Sequence, residues 1–122
     1  MSHPMTPPGK ELSLRLLDRV SYGDRLAAGR LLPPVGIIPG HVRSLRELYL
    51  LLAPDVGSLP GINLSALGDW IEGIIGDGEL ARAVRAATLN AGSYAEGCLM
   101  VYELVGLRLE QANVVAGQEG MI

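Results

Sequence analysis

Few residues of this 122-residue chain have the chemistry to catalyse a reaction or hold a metal. Asp77-Gly78-Glu79 places two carboxylates close together, as a calcium loop would. A calcium loop, however, spreads oxygen ligands over about twelve residues and closes with a bidentate Glu. After Glu79 the chain runs Leu, Ala, Arg, Ala, Val, which offers no further ligand. His3 and His41 are the only histidines and Cys98 the only cysteine, too few for a closed four-ligand zinc site within one chain. A Cys98–His41 nucleophile and base would need a local arrangement that nothing nearby suggests. Cys98 instead stands at apolar helical spacing, where a thiol packs as a small core side chain. Asp69 and Glu72 lie three apart, and paired carboxylates do acid–base work when burial separates their pKa values. The same spacing places them on a solvated helix face opposite Ile71 and Ile74. Gly29, Gly36 and Gly40 fit neither phosphate-binding glycine motif. No metal, cofactor or catalytic residue is therefore expected.

The composition bounds what these residues can serve. The length suits one domain with a core of its own. Apolar residues make up 48% of the chain and mean hydropathy is +0.28, high enough to suggest apolar surface buried against another chain. The net charge of −3 and pI near 5.3 argue against a nucleic-acid partner, as do one lysine and nine arginines scattered along the sequence. A single cysteine fits a reducing, cytoplasmic setting. No stretch approaches the roughly 18 apolar residues that span a bilayer, so no membrane insertion is expected. MSHPMTPPGKELS also lacks the basic and apolar blocks of a signal peptide. The expected organisation is a disordered lead-in over 1–9, where Pro4, Pro7 and Pro8 block regular structure, a helical domain over 10–115 and a flexible tail over 116–122.

The elements that must position these residues are read from spacing and punctuation. Glu11 to Val20 fits both strand alternation and helical spacing, with helix preferred. Ser21 to Gly40, dense in Gly and Pro, is expected to be an irregular segment laid over the core, an unusual length for a loop. Ser44 and Glu47 form a capping box for a helix that stops before Pro54. DVGSLPGIN reads as a loop. Leu64, Leu67, Ile71, Ile74 and Ile75 form one amphipathic stripe. Gly76 is placed as a left-handed stop residue, Asp77 as the next N-cap, and Glu79 where the helix dipole favours negative charge. Asn90 and Gly92 end that helix. Ser93 and Glu96 open the last one, Tyr94 to about Asn113. The predicted fold class is all-α, four to five helices with the Pro/Gly-rich segment packed over them.

The pattern W-I-x-x-I-I-G-D-x-E-L-A from Trp70 to Ala81, preceded by S-L-R-E-L at Ser44 to Leu48, resembles a small uncharacterised helical domain family common in archaea. That family has Asn-Asp-Phe ahead of the tryptophan, where this chain has LSALGD from Leu64 to Asp69. The resemblance covers about a third of the chain and implies a helical domain, with no activity attached.

Two further features shape the functional expectation. Gly68, Gly73, Gly97 and Gly106 fall inside predicted helices at a cost of about 1 kcal/mol each relative to Ala, for which close approach of a neighbouring helix, close approach of a partner chain and compositional drift of a GC-rich genome are the three readings. The last helix is apolar nearly all round: Leu99, Tyr102 and Leu107 lie outside the stripe of Cys98, Val101, Leu104, Val105 and Leu109. The expected function is a small non-catalytic interaction or accessory protein. It would self-associate as a homo-oligomer, or dock on a protein, through Leu99, Tyr102, Gly106 and Leu107. The alternative is a small enzyme or ligand-binding subunit with a pocket under residues 21–41, its polar groups being Tyr22, Asp24, Arg25 and His41. A subunit of a filament or shell is a third reading.

Overall fold

A computed structural model describes residues 5–120, with side-chain surroundings through 117. Helix α1 (Lys10–Leu16) decides the first ambiguity: Leu16 is wholly buried while Leu14, its partner in a strand pattern, faces solvent. The helix then ends in a turn, and Arg19 makes a single antiparallel bridge to Ser44.

The expected all-α class is overturned in the next segment. Strands β1 (Leu26–Ala27), β2 (Gly29–Leu32), β3 (Gly36–Ile38) and β4 (His41–Val42) replace the irregular stretch, and β5 (Leu59–Gly61) replaces part of the expected loop. The fold is mixed α/β, with β1 paired to β4 and a second antiparallel sheet ordered β3-β2-β5. The register is the same in both sheets: Leu26 faces Val42 and Arg30 faces Ile38, with no residue inserted between. The four strands are therefore the two arms of one long hairpin. Its ladder lapses at Gly29 and Pro39, although the Ala28 N–H still donates to the Gly40 carbonyl at 3.0 Å. Gly29 permits that crossing, since a Cβ there would lie 2.0 Å from the Ile38 carbonyl oxygen. β5 then pairs with the outer edge of β2, Leu59 facing Leu31. The strands escape a periodicity reading because their outward positions carry Leu, Ile, Val and Pro instead of alternating polar residues.

The helices follow their punctuation closely. α2 (Leu45–Leu52) starts at Ser44, whose Oγ accepts the Glu47 N–H at 3.0 Å, while the Glu47 carboxylate accepts from the Arg43 N–H at 2.6 Å. It ends one residue short of Ala53, which precedes Pro54 in extended geometry. α3 (Leu64–Trp70) is capped by Asn63, which accepts the N–H groups of Ser65 and Ala66. The chain then widens into a π-turn (Ile71–Ile75), with the Gly76 N–H reaching back to the Ile71 carbonyl at 2.8 Å. That extra residue turns Ile74 out of the apolar stripe to an exposed position, while Ile71 and Ile75 stay buried. α4 (Gly78–Asn90) and α5 (Tyr94–Gly120) complete the chain. α5 packs against α4, α1 and α2, with Val101, Val105 and Ala112 wholly buried.

Both ends of the expected organisation differ in what the described residues show. Within the lead-in, Met5 is buried in the core and its carbonyl accepts from Gln111 Nε2 at 2.8 Å; His3 lies outside the described residues. At the other end α5 continues through Gly120.

Candidate functional site

The joint between the π-turn and α4 is built as its residues suggest, and then extended by one they do not reveal. Gly76 sits at φ +88°, in the left-handed region that favours glycine, and ends the turn. Asp77 Oδ1 accepts the Leu80 N–H at 3.0 Å, the N-cap of α4. Asp77 is also only 1% exposed, and the guanidinium of Arg108 from α5 closes over it. Arg108 meets Asp77 through Nε and Nη2, Glu79 and Gln111 through Nη2 and Nη1, and the Thr6 carbonyl through Nη1. All five of its N–H donors have acceptors, as a buried guanidinium requires. Glu79 is held below the usual carboxylate range, first by the Thr6 N–H at 3.0 Å and also by the Arg108 charge. The carboxylates of the joint thus face an arginine and backbone N–H groups. Arg108 escapes a sequence reading because a lone arginine in an apolar helix looks like a surface residue.

The other chemical candidates are dispersed. Asp69 and Glu72 both pair with Arg85 of α4 at 2.8 Å, on a face open to water. Cys98 is buried, and burial pushes its thiol pKa up, which holds it in the less nucleophilic form. His41 stands away from it on β4, its ring edge-on to Tyr22 with centroids 5.4 Å apart. Among the described residues no cluster of three or more His, Cys, Asp or Glu could hold a metal ion.

Of the four pocket candidates, the structure brings three together. Tyr22, Arg25 and His41 line a shallow open hollow of about 580 Å³, with the Arg25 guanidinium 4.0 Å from the Tyr22 ring centre. Asp24 contributes its backbone carbonyl to the Trp70 indole N–H at 2.7 Å, and its carboxylate accepts from Ser21. A second hollow of about 510 Å³ shares Tyr22 and His41 and adds Arg19, Arg30, Arg43 and Glu47. Arginines that are scattered in the sequence therefore gather beside the hairpin. The first hollow is lined by residues 22–41 alone, and the second lies between the hairpin and α2, where Leu50 and Leu51 also line it.

The proposed interface on α5 is divided in the same way. Tyr102 stacks on Tyr49 of α2, with ring centres 4.6 Å apart and planes 9° from parallel. Gly106 makes room for that ring: a Cβ there would fall 2.7 Å from Tyr49 Cε1. The close approach that Gly106 permits is thus within the chain. Leu99 and Leu107 are the exposed pair. Leu99 lines a small hollow with Leu59, which faces Leu31 across the sheet, and Leu31 in turn faces Ile37.

That row leads to the most distinctive surface of the molecule. From Leu31 to Gly40 the chain reads LLPPVGIIPG, with no polar side chain, and the residues from Pro33 to Gly40 are all exposed. Val35 is 77% and Ile37 61% exposed. No described helix is long and apolar enough to cross a membrane. Comparison of the chain with protein-family models, with curated proteins and with solved structures gave no match.

Proposed function

We infer that this chain is a small non-catalytic docking module, and that its working surface is the hairpin tip and not the α5 face. The observation that carries the reading is the exposed, wholly apolar run from Pro33 to Gly40. Single exposed apolar residues are ordinary, whereas contiguous apolar patches mark surfaces that another body covers. The row Leu99–Leu59–Leu31–Ile37 extends the patch from α5 across the sheet to its open edge. The same hairpin is anchored at its base by buried Leu26 and Val42, which hold the tip in place. The alternative reading, a ligand-binding subunit, is supported by Arg25, His41 and Tyr22 in one hollow.

A photo-activatable side chain placed at Val35 tests the docking reading against the same group at Leu89, an exposed leucine on α4. Cross-linked products in cells are expected to form from Val35 and to be sparse from Leu89. Equal labelling from the two positions would defeat the reading.

A further inference from the structure

We propose that the hairpin tip docks this protein on an anionic lipid surface, the tip entering the boundary between headgroups and acyl chains. This rests on the docking reading above, and it goes further by naming what is docked upon.

Shape is the first argument. The apolar surface is the turn and outer strand of a hairpin, with Val35 77% and Ile37 61% exposed, and an exposed apolar turn suits a deformable medium better than a preformed protein pocket. Its length fits: Pro33 is three strand steps beyond Arg30, about 10 Å at 3.3 Å per residue, against an insertion depth of about 5–10 Å for interfacial elements. Arg30 would then sit at headgroup level while the tip passes it.

Backbone polarity is the second argument. Leaving water costs free energy for each unpaired N–H. Pro33, Pro34 and Pro39 have none to lose, and the β2–β3 ladder pairs the groups that face across the hairpin.

Charge complementarity is the third. The hollows flanking the hairpin carry Arg19, Arg25, Arg30, Arg43 and His41 against one carboxylate, Glu47. Glu47 pairs with Arg19, and Asp55 reaches Arg30 through Ser58, whereas no described carboxylate forms an ion pair with Arg25 or Arg43. An anionic surface would attract the arginine-lined flank of the hairpin, which favours approach by that side. Docking of this kind needs no spanning segment.

Vesicle flotation tests the proposal, using phosphatidylcholine vesicles with and without a third of phosphatidylserine. The wild type is expected to float with the anionic vesicles and far less with the neutral ones. Val35→Asp combined with Ile37→Asp should weaken binding at least about tenfold, with the circular dichroism spectrum unchanged because both side chains are exposed. Arg25→Gln and Arg43→Gln should each weaken it about fivefold, an effect that fades as salt rises. Failure to float with anionic vesicles, or binding indifferent to the tip variant, would overturn the proposal. So would a wild-type dimer in light scattering that the tip variant returns to monomer, since the tip would then dock on a second copy. That last result leaves the docking reading standing, which only equal cross-linking from Val35 and Leu89 would remove.

Discussion

Arg108 lies across Asp77 so that Nε meets Oδ2 at 2.7 Å and Nη2 meets Oδ1 at 3.1 Å, both side chains almost wholly buried. The two residues are 31 apart in sequence. One carboxylate therefore caps α4 and at the same time ties α5 to the joint that precedes it. Through Thr6 and Gln111 the same guanidinium also fastens the segment ahead of α1.

Removing one partner of a buried ion pair strands the other, at about 3–5 kcal/mol. Arg108→Met is expected to destabilise the domain by that amount in urea unfolding. Asp77→Ala should cost more, because it also removes an N-cap worth about 0.5–2 kcal/mol. An Asp77→Ala cost no greater than that of a cap alone would show that the pair contributes nothing.

Glu79 makes stability depend on acid. Its folded pKa is depressed by the Thr6 N–H and by Arg108, so its contribution is fully present above the ordinary glutamate value of 4.5. It is lost as the pH falls through the depressed folded value. Glu79→Gln should flatten this part of the stability profile, measured by chemical unfolding from neutral pH downward.

Gly106 and Tyr49 should show coupling that changes sign. Gly106→Ala gains about 1 kcal/mol of helix propensity but forces a Cβ to within 2.7 Å of the Tyr49 ring, and overpacking costs about 1–3 kcal/mol. The single variant is expected to be less stable than the wild type. With Tyr49→Ala already present, the same change should stabilise. A double-mutant cycle by thermal unfolding measures both.

Gly29→Ala tests the hairpin itself. Its Cβ would overlap the Ile38 carbonyl oxygen, which belongs to the backbone and cannot swing aside. Loss of the β2–β3 cross-strand contacts in nuclear magnetic resonance is expected, with the helices intact. Unchanged contacts between Arg30 and Ile38 would mean that the hairpin does not need glycine at this crossing.

Sequence alone located the joints of the helical part: Ser44 with Glu47, Gly76 with Asp77, Ser93 with Glu96, and the stop before Pro54. Each is a local device, in which a side chain answers a backbone group within about four residues, so a short window contains the whole interaction. Tertiary structure alone decided the rest. Residues 26–42 are strands because two arms meet each other and β5 meets one of them, and that pairing leaves no polar alternation in a sequence whose outer face is apolar. Ile74 left the apolar stripe because the helix widened by a residue. The arginines of the hairpin flank, and Arg108 over Asp77, are neighbours only once distant segments pack. Charge and burial at those positions depend on which residues the fold brings together, and spacing along the chain carries no record of it.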